Sequence, residues 1–244
     1  AGETLSFTSN TSAATVVNTG SGTPQLAIII GGTTQQATYV SGSNSSALVF
    51  SYTVQAGDND DNGIAIGTLA LSGGTIRDAT GNDLVLTLAG VAATTGVLVD
   101  ALAPTVTSVA VPASGSYTAG ANLSFIINAS ENIVVTTTGG TPQLALTIGG
   151  ITRQATYLSG SGTSALLFRY TVQAGETDMD GIAVGTLSAN GGTLQDDAGN
   201  DLTVTLNSVG ATTGVFVDTS APAAAALTTA DTTTTTAAFE IAGS

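Results

Sequence analysis

The chain has 244 residues, of which 42% are hydrophobic and only 8% charged, far below the ~25% charge of an ordinary soluble domain. Seventeen acids face three bases, a formal net charge of −14, which disfavours nucleic acid and anionic membranes as partners, because both select a basic face. Cys and His are absent, so disulfides, thiolate nucleophiles and the usual zinc sites are excluded, and divalent cations are the natural counter-charge.

Taken in chain order, the elements come twice. Pro24-Gln25-Leu26-Ala27 returns as Pro142-Gln143-Leu144-Ala145, and Ala37-Thr38-Tyr39 as Ala155-Thr156-Tyr157. Tyr52 to Gly57 returns as Tyr170 to Gly175, and Gly81-Asn82-Asp83-Leu84 as Gly199-Asn200-Asp201-Leu202. The offset is constant (157 − 39 = 118), and residues 1–100 align without a gap on 119–218, with more than half of the positions identical. A period of that length is a domain, not a solenoid unit. The sequence therefore predicts a first module over 1–103, a second over 104–221, and the start of a third over 222–244. The second module has a leading segment, Pro104 to Thr118, which reads as a first strand over Thr105–Val111. The first module begins after the equivalent position.

Strand signals follow one another through each copy. The run Leu26–Ile30 is strand-sized and too short to span a membrane, so no membrane insertion is expected. In the second copy, Leu123, Phe125 and Ile127 alternate with smaller or polar neighbours. Further strands are predicted over Ile133–Thr136, Gln143–Ile148, Thr152–Leu158, Ala165–Val172, Ile182–Leu187, Leu202–Leu206 and Val215–Val217. Thr, Val, Ile, Phe and Tyr dominate these runs, as pleated half-buried surfaces prefer. Gly31-Gly32 and Gly149-Gly150 mark tight hairpins. No window carries a helical apolar period. The fold class expected is all-β, as tandem immunoglobulin-like β-sandwich domains with about eight strands each.

The chemistry lies in three acidic segments. Asp58-Asn59-Asp60-Asp61-Asn62-Gly63 places oxygen ligands at Asp58, Asp60 and Asn62, followed by a glycine. Alternate spacing lets three side chains converge on one calcium ion, and the glycine permits the sharp turn. The second copy keeps that register as Glu176, Asp178, Asp180 and Gly181. The alternative is a solvated polar turn, since Asp, Asn and Gly are ordinary turn residues. Asp78 and Asp196 open a second pair of loops, readable as plain hairpin turns or as shares in a metal site. Asp100 and Asp218 open the third, the junctions that run on to Pro104 and Pro222. An Asp there is placed to share an ion with a neighbouring module. Glu131 is a possible partner, although the first copy has Ala13 at the equivalent position.

The phrases GTPQLAL, GGTLQDDAGNDL and GVFVDTSAP resemble bacterial immunoglobulin-like repeats of large calcium-dependent surface adhesins and biofilm proteins of the RTX type. The resemblance covers essentially the whole chain and weakens after Pro222. It implies secretion to a bacterial cell surface, tandem arrays and Ca²⁺ at the junctions that rigidifies a rod. The expected role is structural, a spacer or stalk whose partners are neighbouring modules of the same protein. A rival is a homopolymeric filament or surface-layer subunit in which residues 222–244 lend a strand to the next molecule. A calcium-dependent glycan-binding module is a further rival. Catalysis is not expected, because the carboxylate pairs fall in glycine-flanked turns with no sign of the burial that shifts catalytic pKa values.

Overall fold

In the computed structural model, which describes residues 1–222, every regular element is a β-strand. The first repeat contributes β1 (Thr4–Asn18), β2 (Gln25–Ile30), β3 (Thr33–Ser41), β4 (Ser45–Thr53), β5 (Asn59–Asp60), β6 (Ala65–Ala70), β7 (Thr75–Asp78) and β8 (Val99–Asp100). The second contributes β9 (Val106–Ala110), β10 (Gly115–Tyr117), β11 (Asn122–Thr136), β12 (Gln143–Ile148), β13 (Ile151–Ser159), β14 (Thr163–Thr171), β15 (Thr177–Asp178), β16 (Ala183–Ser188), β17 (Thr193–Gln195) and β18 (Val215–Asp218). The expected third module start lies outside the described residues, apart from Pro222.

Each repeat builds one large antiparallel sheet and one small sheet. The first has the order β6-β2-β3-β4-β1-β7, with β5 paired to β8 separately. The second repeats that order as β16-β12-β13-β14-β11-β17 and adds β9 beside β11. Its small sheet gains a strand as well, β10-β18-β15. The architecture is β-sandwich-like and all-β, as the turn spacing and strand composition lead one to expect.

Alternation explains which faces are buried. Along β11, Leu123, Phe125, Ile127 and Ile133 are wholly buried, while Ile126 and Val134 point outward. Side chains two apart share a face of a strand, so one apolar stripe feeds the core. Two clusters of buried residues result. One gathers Leu26, Ile28, Leu48, Phe50 and Ile76; the other gathers Val106, Leu123, Phe125, Leu144 and Phe168. Fully burying one such side chain contributes roughly 1.5–3 kcal/mol. Tyr39 meets Phe50 edge-on with ring centroids 5.9 Å apart, and Tyr157 meets Phe168 at 5.8 Å, the geometry that ring quadrupoles favour.

Two predicted elements come out differently. Ile133–Thr136 is not a separate strand but the end of the long β11. A register shift between Asn128 and Ile133 lets β11 leave β14 and pair with β17 instead. The bulge keeps the backbone extended while it changes partner. Leu202–Leu206 does not form a strand; it makes a single isolated bridge, from Thr203 to Thr105, just after the bridge from Asp201 to Gln195. Leu202 still reaches the core, which accounts for its strand-like sequence.

Candidate metal centre

The hairpin turns and the first acidic segment pack against each other. Gly31 has a φ of +55°, and a Cβ on it would lie 2.2 Å from the Asn59 carbonyl oxygen. Gly149 repeats this at +56° against Thr177. Only glycine accepts both the left-handed backbone and that approach. The buried carboxylates follow from the contact. Asp60 Oδ2 accepts a hydrogen bond from Gly31 N at 2.8 Å, and Asp178 Oδ2 accepts one from Gly149 N at 2.7 Å. The second oxygen of Asp178 accepts Gly181 N at 2.9 Å.

Asp58 and Glu176 close the same loops from inside. Asp58 Oδ2 accepts Tyr52 Oη at 2.7 Å and Gln55 N at 2.8 Å, and Oδ1 accepts Gln35 Nε2 at 3.3 Å. Glu176 accepts Tyr170 Oη, Gln173 N and the Arg153 guanidinium. Burial pushes the Glu176 carboxyl up, but the hydrogen bonds from Tyr170, Gln173 and Arg153 outweigh it and hold it below the usual glutamate range. Burial, reinforced by the carboxylate it binds, pushes each tyrosine hydroxyl up to about 12, so both remain donors. The hydrogen-bond capacity of Asp58, Asp60, Glu176 and Asp178 is thus largely engaged within the protein. Asn62 and Asp180, by contrast, are exposed.

In the second pair of loops the leading Asp is held by donors of its own loop. Asp78 accepts Asn82 Nδ2, Thr80 Oγ1 and the backbone N–H groups of Asn82 and Thr80, all within 2.9 Å. Those donors hold its carboxyl far below the usual range, Asn82 contributing most. Asp196 accepts Asn200 N and Asn200 Nδ2, both at 2.8 Å, and is 4% exposed. Asp218 Oδ1 accepts Ser220 N at 2.9 Å and lies at the far junction.

One place draws acids from three segments together. Asp100, at the end of the first repeat, meets Glu131 of β11 and Asp196 of the second repeat, with one carboxylate oxygen of each within 4.8 Å of the others. Among the described residues this is the one such group of three or more. Asn200 bridges the repeats, donating from Nδ2 to the Asp100 carbonyl at 3.2 Å. Two of the three acids, Asp100 and Asp196, were candidates from sequence. Glu131 entered only as a possible partner, because its first-repeat counterpart is Ala13.

The electrostatics of the trio are those of like charges. The Glu131 carboxyl is pushed up, first by burial and then by the charges of Asp196, Asp100 and Asp197. No guanidinium offsets them: Arg77 pairs with Asp83, Arg153 with Glu176, and Arg169 makes no ion pair among the described residues. An all-oxygen, all-carboxylate donor set suits a hard cation. The trio can hold a metal ion.

Fold and site together define a β-sandwich-like all-β protein with an acidic trio between its repeats. No helix among the described residues is long and apolar enough to cross a membrane. The chain matches no protein-family model and no curated protein.

Proposed function

We propose that this chain is an extracellular structural module, a spacer in a bacterial surface adhesin or fibre, rigidified by Ca²⁺ bound at Asp100, Glu131 and Asp196. The observation that carries the reading is the source of the trio: one acid ends the first repeat and two belong to the second. An ion shared by these carboxylates restricts motion between the repeats and removes their mutual repulsion. The resemblance to bacterial immunoglobulin-like repeats points the same way. So do the sparse charge and the absence of any His or Cys nucleophile, which leave catalysis without an obvious centre.

A ligand that binds only the folded state stabilises it by mass action, about 2.7 kcal/mol at a hundredfold excess over Kd. Thermal melts in millimolar Ca²⁺ and in chelator test the reading. Ca²⁺ is expected to raise Tm by several degrees and to narrow the distribution of maximum dimension in small-angle scattering. Glu131→Gln should abolish most of both effects while leaving the melt in chelator unchanged or slightly higher. Equal calcium responses of the parent and Glu131→Gln chains would remove the ion from this junction.

A further inference from the structure

Two Asn-Gly steps occur in the chain, Asn62-Gly63 and Asn190-Gly191. At such a step the residue after Asn has no side chain to shield its backbone nitrogen, so that nitrogen can attack the side-chain carbonyl carbon of the Asn. The two steps stand at different places in the repeat. At the offset of 118, Asn62 corresponds to Asp180, and Asn190 corresponds to Ser72.

Both asparagines are exposed, but the fold holds them differently. Asn190 Nδ2 donates to the Thr141 carbonyl at 3.0 Å, and Asn190 N donates to Ser188 Oγ at 3.1 Å. The first of these bonds ties the side-chain amide to another loop. Asn62 N donates to Asp60 Oδ1 at 3.3 Å, while the Asn62 side-chain amide has no hydrogen-bond partner among the described residues. The attacking nitrogen is free as well. In the second repeat Gly181 N donates to Asp178 Oδ1 at 2.9 Å. In the first repeat the bond to the equivalent oxygen comes from Asn62, one position earlier, and Gly63 N has no partner among the described residues. Packing also requires the glycine. Gly63 has a φ of +100°, and a Cβ on it would lie 2.4 Å from Thr95 Cα. Only glycine accepts both conditions, so the fold itself keeps a glycine after Asn62.

We propose that Asn62 is a site of spontaneous deamidation, selected over Asn190 by the freedom of its side chain. Gly63 N attacks Asn62 Cγ and closes a cyclic succinimide. The Cγ–Nδ2 bond breaks, and ammonia leaves with the proton from Gly63 N. Water then opens the ring without any change of oxidation state. Cleavage at the former side-chain carbonyl leaves an aspartate at position 62, and cleavage at the backbone carbonyl leaves an isoaspartyl linkage. The aspartate product matches the second repeat, which carries Asp180 there from the start. With age, the first acidic loop thus gains a carboxylate beside Asp58, Asp60 and Asp61. The reaction needs no metal ion, so it stands apart from the junction cation.

Peptide mapping by tandem mass spectrometry tests it, on the folded chain aged in warm, mildly alkaline buffer. Trypsin puts the two steps in different peptides, because Arg77, Arg153 and Arg169 lie between them. Conversion at position 62 should run several-fold faster than at position 190. In denaturant the two rates should converge, since glycine follows both asparagines. Asn62→Gln, whose longer side chain closes a less favourable ring, should remove the first acidic species that ion exchange resolves from the aged parent. Asn190→Gln should leave that species in place. The proposal is overturned if position 190 converts as fast as position 62 in the folded chain. It is equally overturned if position 62 stays intact while the unfolded chain deamidates, or if the acidic species survives Asn62→Gln. A preference of the same size in denaturant would assign the selectivity to neighbouring sequence instead of the fold, and would overturn it too.

Discussion

The two repeats share sheet order, turns and acidic loops, and differ chiefly in one segment. Where β9 and β10 are present, the large sheet has an extra strand and the core is sealed. In the first repeat no described residue takes their place, and the same apolar face of β1 is half open. A single edge strand therefore decides whether Leu5 and Phe7 act as core residues or as the floor of a groove. Identical side chains contribute differently because burial, not identity, sets their hydrophobic contribution.

The largest test of this contrast compares two phenylalanines at equivalent positions. Phe125→Ala removes a fully buried ring and should cost about 3–5 kcal/mol. Phe7→Ala, at a half-buried site, should cost roughly half as much. Denaturant unfolding followed by circular dichroism checks both. Equal costs would mean that the first core is already closed.

A smaller effect sits further along the same strands. Thr15 takes the place of the wholly buried Ile133, and its Oγ1 is buried with no hydrogen-bond partner. An unsatisfied buried hydroxyl costs about 1–3 kcal/mol. Thr15→Ile should therefore stabilise the first repeat by about 1–2 kcal/mol and bring it closer to the second. An unchanged or lower midpoint in the same titration would contradict this.

The smallest effect is in the pH dependence, where two glutamates of the second repeat act with opposite sign. Glu176 is held below its ordinary pKa by Tyr170, Gln173 and Arg153. Its contribution is present above the ordinary glutamate value of about 4.3, and it is lost as pH falls through the lowered folded value. Glu131 is held above its ordinary pKa, so it destabilises the fold at neutral pH. That penalty fades as pH falls through its raised value toward the ordinary one. In chelator, Tm should rise slightly on mild acidification and then drop. Glu131→Gln should remove the rise, and Glu176→Gln should blunt the drop. A Tm curve of the same shape in all three chains would show that neither carboxyl is coupled to folding.

Much of this was legible in the sequence because it is local. Strand positions followed from alternation at Leu123, Phe125 and Ile127, and hairpins from Gly31-Gly32 and Gly149-Gly150. Asp100 and Asp196 stood out as acids at repeated loop positions. Leu202–Leu206 misled, because an apolar residue that reaches the core from an irregular segment looks the same as one on a strand. The calcium-loop spacing at Asp58, Asp60 and Asn62 could not reveal how far the carboxylates of Asp58 and Asp60 are engaged. Their donors, Gly31, Tyr52 and Gln35, are remote along the chain or belong to an unrelated pattern.

By itself the sequence determined the all-β class, the repeat with its period, and the identity of the acids, since each is a property of short-range pattern or of self-comparison. Only the tertiary structure decided that Glu131 joins Asp100 and Asp196, and that Leu202 reaches the core from an irregular segment beside Leu194. Both depend on which segments pack together, and such pairing is set by the folded core, not by the spacing of neighbours along the sequence.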